Sequence, residues 1–178
     1  MIMKKNLLAI AIAIALPLSL FAADMDANGI VTKKSNTDVK TTIDRIEMMV
    51  KKKGLTFFNR INHKENAKKA DGPDLDDAEL IIFGNPKAGL KLMTKDPKAG
   101  LDLPLKMLAY KAKDGKVYLS YRDVKFYEKI YNLEGCKMQN KMSKMLDIFS
   151  ERATLSPEAF EVLSQKNKEA AKAVEAAH

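Results

Sequence analysis

The dipeptide Asp114-Gly115 constrains the fold more strongly than any other local feature of this sequence. It lies between two runs rich in strand-forming residues, 105–111 and 117–122. Asp-Gly is typical of a tight hairpin turn, because both residues accept the positive backbone angles that a primed turn requires. The two runs are therefore predicted to be antiparallel neighbours in a sheet.

Three further segments are predicted as strands. Residues 30–32 are rich in β-branched side chains, and residues 80–83 are apolar at every position, which favours a strand that is covered on both faces. Residues 55–62 alternate between apolar and polar side chains, which favours a half-buried strand. One predicted face of this last strand carries Leu55, Phe57 and Ile61, and the other carries Thr56, Arg60 and Asn62.

Apolar residues at helical spacing predict the helices. One helix covers 39–50 and begins after the capping residues 35–38, and a second covers 127–149. Residues 156–158, Ser-Pro-Glu, begin a third helix that continues to the C-terminus. These elements predict an α+β fold with an antiparallel-rich sheet of about four to five strands, backed by helices and followed by an extra C-terminal helix.

The N-terminus has the pattern of an export signal. Lys4 and Lys5 precede an apolar run over 7–16, and Pro17 follows this run. The run is shorter than the roughly 20 residues that a membrane-spanning helix needs, so cleavage after Ala22 is predicted. We therefore expect the mature protein in the periplasm or secreted, without stable insertion in a membrane.

This cleavage divides the chain into three regions. They are a signal peptide at 1–22, an α+β domain at 29–155 and a C-terminal helix at 156–178. The whole sequence has 31 Lys and Arg against 23 Asp and Glu, which gives a formal net charge of +8. The basic residues lack the interleaved aromatic side chains on which bases stack, so nucleic acid is not an expected partner.

No cofactor or metal motif is complete. Residues 24–29, Asp-x-Asp-x-Asn-Gly, match the first half of a calcium loop, but Ser35 stands where that loop requires a bidentate glutamate. Thioethers at helical spacing suit Cu(I), although the same spacing is that of a stripe facing the core. We predict no cofactor and no metal, and we keep copper binding as an alternative. The thioethers concerned are Met138, Met142 and Met145.

The step Gly84-Asn85-Pro86 is a candidate binding position. A helix that begins directly after a strand points free amides and a partial positive charge outward, and Lys87 adds a further charge. The predicted ligand is an anion or a carbonyl group. The alternative is that Asn85 only caps the helix, because Asn followed by Pro is a common helix start.

Two single residues carry other candidate chemistry. His63 is the only internal histidine, which excludes zinc sites built from several histidines, and it is either a general base or a local capping group. Cys136 is the only cysteine, which excludes an internal disulfide. Cys136 is either a buried thiol or an intermolecular link, and we predict the buried thiol, because free cysteine packs as a small apolar residue.

Several spaced motifs resemble the family known as domain of unknown function 302. The resemblance covers about residues 30–155 and implies a compact α+β domain, with an antiparallel-rich sheet backed by helices, that forms a homodimer. It implies no activity, and Tyr131 stands where many members carry histidine, so it implies no mechanism with two histidines. The motifs lie at residues 79–89, 92–93, 96–97, 100–105 and 118–121.

These observations lead to two hypotheses of different classes. The first is a non-enzymatic binding or interaction module whose pocket lies near His63, Asn85 and Tyr121. The second is a small enzyme that uses His63 as its general base. No catalytic residue is assigned, and the predicted ligand-binding residues are His63, Gly84, Asn85, Lys87 and Tyr121.

Overall fold

The computed structural model describes residues 25–176 and forms one antiparallel sheet of five strands in the order β1-β5-β4-β3-β2. The strands are β1 (Ile30–Ser35), β2 (Thr56–Asn62), β3 (Ala78–Gly84), β4 (Leu105–Lys111) and β5 (Val117–Arg122). The helices are α1 (Val39–Lys52), α2 (His63–Lys69), α3 (Pro86–Met93), α4 (Tyr127–Ile130), α5 (Met138–Ala153) and α6 (Pro157–Ala176). The predicted fold class is confirmed. The predicted signal peptide lies outside the described residues.

The hairpin between β4 and β5 forms as predicted, although its turn differs. Gly115 has a φ of 76°, whereas Asp114 has no positive φ. The amide of Ala112 donates to the carbonyl of Lys116 at 2.8 Å, so three residues separate the hydrogen-bonded pair. A turn of this length needs a left-handed residue only at its last position, which Gly115 supplies.

Helices α1 and α5 pack on one face of the sheet, which we call the covered face. The strand side chains on this face form one side of the core, because alternate residues of a strand point to the same side. From the helices, Ile43, Ile46 and Val50 are 0% exposed, and Phe149 is 1% exposed. The buried strand residues are Val31, Ile81, Phe83, Leu105, Met107, Ala109, Leu119 and Tyr121.

The alternate strand residues, which point away from α1 and α5, form the open face. Among the described strand residues that point to the open face, Gly84 alone is buried. Leu80 and Ile82 of β3 point to this face and are half-buried. The prediction that 80–83 is covered on both faces is therefore wrong, because both helices that pack across the sheet lie on the covered face.

A β-bulge at Phe58 changes the parity of β2. Phe57 is opposite Phe83 and Asn59 is opposite Ile82, so one extra residue lies between them. After the bulge, Arg60 points to the covered face and Ile61 to the open face. The prediction that Phe57 and Ile61 share a face is wrong, because strict alternation assumes an unbroken ladder.

The C-terminal helix is attached mainly at its first turns. Phe160 lies under the guanidinium of Arg45, whose carbon is 4.1 Å from the ring centroid. Arg45 also donates to the carbonyl oxygens of Ala153 and Leu155, at 3.2 and 2.6 Å. Residues 168–175 are exposed along their whole length. The helix therefore projects from the domain over its second half.

Candidate functional site

The predicted site residues do not form one pocket. His63 is the first residue of α2 and is exposed, and it follows the end of β2 that pairs with Glu79. Asn85 follows Gly84 at the opposite end of β3. Tyr121 points to the covered face and is 3% exposed. A shared pocket for His63, Asn85 and Tyr121 is therefore not present, because strand direction and parity separate them.

Asn85 caps α3 in the way that its position before Pro86 predicts. Its side-chain oxygen accepts hydrogen bonds from the amides of Lys87 and Ala88, at 2.9 and 3.3 Å. These are amides that an anion at the helix start would need. Lys87 itself is exposed. The cap interpretation therefore accounts for the local geometry of Asn85.

Gly84 and Tyr121 have packing roles. A Cβ atom on Gly84 would lie 3.7 Å from Pro104 and 3.8 Å from Phe58, which are ordinary van der Waals distances, so the buried Gly84 belongs to the packed end of β3 without a steric requirement for glycine. Burial raises the pKa of Tyr121 to about 12, and Ser150 lies within 3.5 Å of its hydroxyl. Tyr121 is therefore a neutral core group.

The methionines of α5 follow the stripe that faces the core. Met142 is 6% exposed, and Met138 and Met145 pack against the core while remaining half-buried. Residues 25–176 contain no group of three or more His, Cys, Asp or Glu side chains arranged to hold a metal ion. Asp26, from the partial calcium motif, instead accepts the amides of Asn28 and Ile30, each at 2.8 Å.

Three structural features were not found by sequence reasoning, and the first is a cluster around Asp102. Tyr131 donates to the Asp102 carboxylate at 2.5 Å, and Tyr127 donates to the Asp102 carbonyl at 3.1 Å. The hydrogen bond with Asp102 raises the pKa of Tyr131 to about 12. The cluster fixes the turn before β4, and no sequence signal links residues this far apart.

The second feature is an ion-pair cluster on the outer edge of the covered face. Arg60 donates to Glu79 at 2.7 Å, to Asp44 at 2.6 Å and to Glu47 at 2.9 Å. Hydrogen bonding to Glu79 raises the pKa of Arg60 further above its ordinary value, against the effect of burial. A cavity of ≈ 420 Å³ lies beside this cluster, but the guanidinium facing it is already bound to three carboxylates. The cluster therefore serves to tie β2 to α1.

The third feature is a cavity of ≈ 370 Å³ between α3 and the start of α5. Among residues 25–176, no acidic residue lines this cavity. Cys136 lies at its wall and is half-buried, with its sulfur 3.9 Å from the carbonyl oxygen of Lys91, so the prediction of a buried thiol is wrong. The other lining residues are Lys91, Thr94, Lys95, Gly135, Lys137, Met138 and Lys141.

The open face carries apolar, aromatic and polar side chains together. Its centre holds half-buried aliphatic side chains, and Tyr110 and Tyr118 stack across β4 and β5 with centroids 6.0 Å apart. Thr32 and Ser120 share a hydrogen bond of 2.8 Å on the same face. The half-buried aliphatic residues are Ile61, Leu80, Ile82 and Leu108.

Two proteins from Brucella resemble part of this chain. The proteins named Fluoride-specific ion channel FluC 1 of Brucella suis biovar 1 (strain 1330) and of Brucella abortus biovar 1 (strain 9-941) are each 43% identical to it over 96 residues. The match covers 54% of this chain and 37% or 35% of those proteins. The chain thus spans about a third of the length of these relatives. Within residues 25–176, no helix has the length and apolarity needed to cross a bilayer.

A solved structure and a family match agree on the fold. The crystal structure of an uncharacterized conserved DUF302 protein from Bacillus stearothermophilus superposes with a TM-score of 0.63 at 16% identity, covering 71% of this chain and 99% of that one. Residues 31–149 match the family described as Domain of unknown function DUF302. This match covers the sheet, α1 and most of α5. The chain therefore belongs to the DUF302 family.

Proposed function

We propose that this protein is a non-catalytic interaction module of the cell envelope, and that the open face of its sheet binds a second copy of the chain. The single observation that carries this proposal is the row of half-buried aliphatic side chains across β2, β3 and β4. Contiguous apolar patches on soluble domains mark interaction sites.

The composition of the open face supports a protein partner. An apolar centre with aromatic residues and a polar margin is the usual anatomy of a protein interface. Here Leu80 and Leu108 are directly opposite each other at the centre, while Lys34 and Lys106 lie exposed near the margin. The same patch on two copies meets itself in a two-fold dimer, which needs no second type of surface.

The hydrogen bonds of the carboxylates support a binding role rather than a catalytic one. The carboxylates of Glu79 and Asp102 each accept a hydrogen bond from a neighbouring side chain, as does that of Asp123. His63 is exposed at the start of α2, directly after the end of β2 that pairs with Glu79. General acid or base catalysis needs such groups to converge on a shared space, and these are already engaged in holding the fold.

The Brucella relatives support a modular role. Their matched segment is about a third of proteins that are named as fluoride-specific ion channels. A segment found within larger proteins with a membrane activity of their own suits an accessory domain near a membrane. The predicted signal peptide and export of the present chain agree with this location.

Sedimentation velocity tests the proposed dimer. We expect wild-type protein to sediment as a dimer that dissociates on dilution, and Leu108→Lys to sediment as a folded monomer, because a lysine at the centre leaves a charge without a partner in the interface. Leu101→Lys is the matched control, since Leu101 is 81% exposed and lies outside the sheet. Ile82→Lys serves as a second disruptive variant.

Circular dichroism of each variant confirms that the fold is retained. The proposal fails if wild-type protein is monomeric at every concentration studied. It also fails if Leu108→Lys and Ile82→Lys both remain dimeric while folded, because the interface would then lie elsewhere.

A further inference from the structure

We infer that a second surface of the domain, formed by α3 and the turn that follows it, docks on bilayers rich in anionic phospholipid. We call it the lysine–leucine surface, and it consists of Leu90, Met93 and Leu101 with Lys91, Lys95 and Lys98. It lies on the helical side of the molecule, where α3 contacts α5, and is separate from the open face. It does not depend on the proposed dimer.

Its apolar side chains are exposed and adjacent. Leu90 is 61% exposed, Met93 is 42% exposed and Leu101 is 81% exposed. Leu90 and Met93 are one helical turn apart, and the Met93 methyl group lies 3.2 Å from the position of a Cβ on Gly100, directly before Leu101. Single exposed leucines are ordinary, whereas three large apolar side chains in one patch indicate a partner.

Local sequence repetition produces this exposure. Residues 86–90 and 97–101 have the same sequence, Pro-Lys-Ala-Gly-Leu, and each copy begins after a capping side chain. Leu90 and Leu101 occupy the same position in the two copies, and both point outward. The chain thus presents two equivalent leucines on neighbouring turns.

The charge around these leucines is strongly positive. Residues 86–101 contain four lysines and one aspartate. That aspartate, Asp96, is 7% exposed, and its carboxylate accepts the amides of Asn132 and Lys98, at 3.2 and 3.0 Å. Lys91 and Lys95 also line the cavity between α3 and α5, where the described lining contains four lysines and no acid. The exposed charge of residues 86–101 is therefore positive, although Lys98 Nζ lies 3.9 Å from the Asp96 carboxylate and the half-buried Asp102 follows Leu101.

This combination fits a membrane surface better than a protein. Protein interfaces are enriched in Arg, Tyr and Trp and depleted in Lys, whereas every basic residue of this surface is lysine. Lysines attract an anionic headgroup layer without a fixed geometry, and large apolar side chains beside them enter the boundary between headgroups and acyl chains. The predicted export brings the mature chain next to such membranes.

Vesicle co-sedimentation tests this inference. Vesicles of phosphatidylethanolamine with phosphatidylglycerol are compared with vesicles of phosphatidylcholine alone, at low and high salt. We expect wild-type protein to bind the anionic vesicles at low salt only, because counterions screen the lysines at high salt. Leu90→Gln with Leu101→Gln, and separately Lys91→Gln with Lys95→Gln, should each weaken binding roughly tenfold or more.

Lys68→Gln with Lys69→Gln is the matched control, because it removes two exposed charges from α2 instead. All proteins carry the same processed N-terminus, checked by mass spectrometry, so any retained leader affects them alike. The inference is wrong if wild-type protein does not bind anionic vesicles. It is equally wrong if the leucine variant binds as wild type does, or if the α2 control weakens binding as much as the Lys91/Lys95 variant.

Discussion

Two aromatic pairs with the same geometry lie on opposite faces of the sheet. Phe83 and Phe149 have ring centroids 6.0 Å apart and planes inclined by 30°, and Tyr110 and Tyr118 have the same values. The phenylalanines are 0% and 1% exposed, whereas the tyrosines are half-buried. The two pairs thus share a centroid distance and an interplanar angle but differ in burial and in their polar groups.

The chemistry of the two pairs matches this difference. The covered pair has no polar atom, which suits a core where every donor would need a partner. The open pair retains two hydroxyl groups, and Tyr118 donates to the Asp114 carboxylate at 2.8 Å. Tyrosine is favoured on surfaces that meet water in one state and a partner in another. The comparison thus separates a face that is buried in the core from the half-buried face that we propose binds a second copy of the chain.

The largest expected effect is at Phe83. We expect Phe83→Ala to lower the free energy of unfolding by about 3–5 kcal/mol, because truncating a buried aromatic removes apolar contacts and leaves a cavity. Its matched control is Ile82→Ala, the neighbouring residue on the open face, for which we expect less than about 1.5 kcal/mol.

Urea unfolding followed by circular dichroism, at a protein concentration low enough for monomer, measures both variants. Equal losses for Phe83→Ala and Ile82→Ala would contradict the distinction between the covered and the open face.

The sequence predicted the strand segments, the β4–β5 hairpin and the helix caps because each depends on residues that are close in the chain. Asn85 is an example, since its cap involves residues two and three positions away. The side on which Leu80 and Ile82 are exposed was not predictable, because it depends on where α1 and α5 pack. The Asp102 cluster likewise joins residues that only the folded chain brings together.

The candidate site was the least predictable part. His63, Asn85 and Tyr121 were selected one by one for their chemistry, and nothing in the sequence showed that strand direction places them apart. The faces of Arg60 and Ile61 were not predictable from alternation either, because the extra residue of the bulge at Phe58 reverses them. Local patterns thus predicted elements, while the site depended on their arrangement.

An intermediate effect is expected at Arg60, where the covered face ends. Arg60→Met removes hydrogen bonds to Asp44, Glu47 and Glu79, and we expect a loss of about 1.5–3 kcal/mol at neutral pH. Arg60→Lys is the control, because it keeps the charge but not the fork that reaches several carboxylates. It should recover only part of the loss.

The pH dependence of this loss has a definite sign. Hydrogen bonds from Lys51 and Arg60 hold the pKa of Glu47 below its ordinary value. A carboxylate whose pKa is lowered by folding contributes stability above its unfolded pKa, and this contribution disappears as the pH falls through the folded value. The difference between wild type and Arg60→Met should therefore shrink below about pH 4. A difference that is constant from neutral to acidic pH would mean that packing, rather than charge, accounts for the loss.

The smallest expected effect on the free energy of unfolding is at Tyr110. It tests most directly whether the open face stabilises the fold or binds a partner. In dilute solution, Tyr110→Ala should lower the free energy of unfolding by about 0.2–1 kcal/mol, the usual contribution of a cross-strand pair on an exposed face. Tyr110→Phe should have little effect on the free energy of unfolding, because it keeps the ring.

Urea midpoints measured over a range of protein concentrations then distinguish the two roles of the open face. If a second copy covers this face, the wild-type midpoint rises with concentration, since association stabilises the folded state by mass action, and the Tyr110→Ala midpoint rises less. If both midpoints are independent of concentration, the stacked tyrosines stabilise the hairpin alone, and the open face has no partner of its own kind.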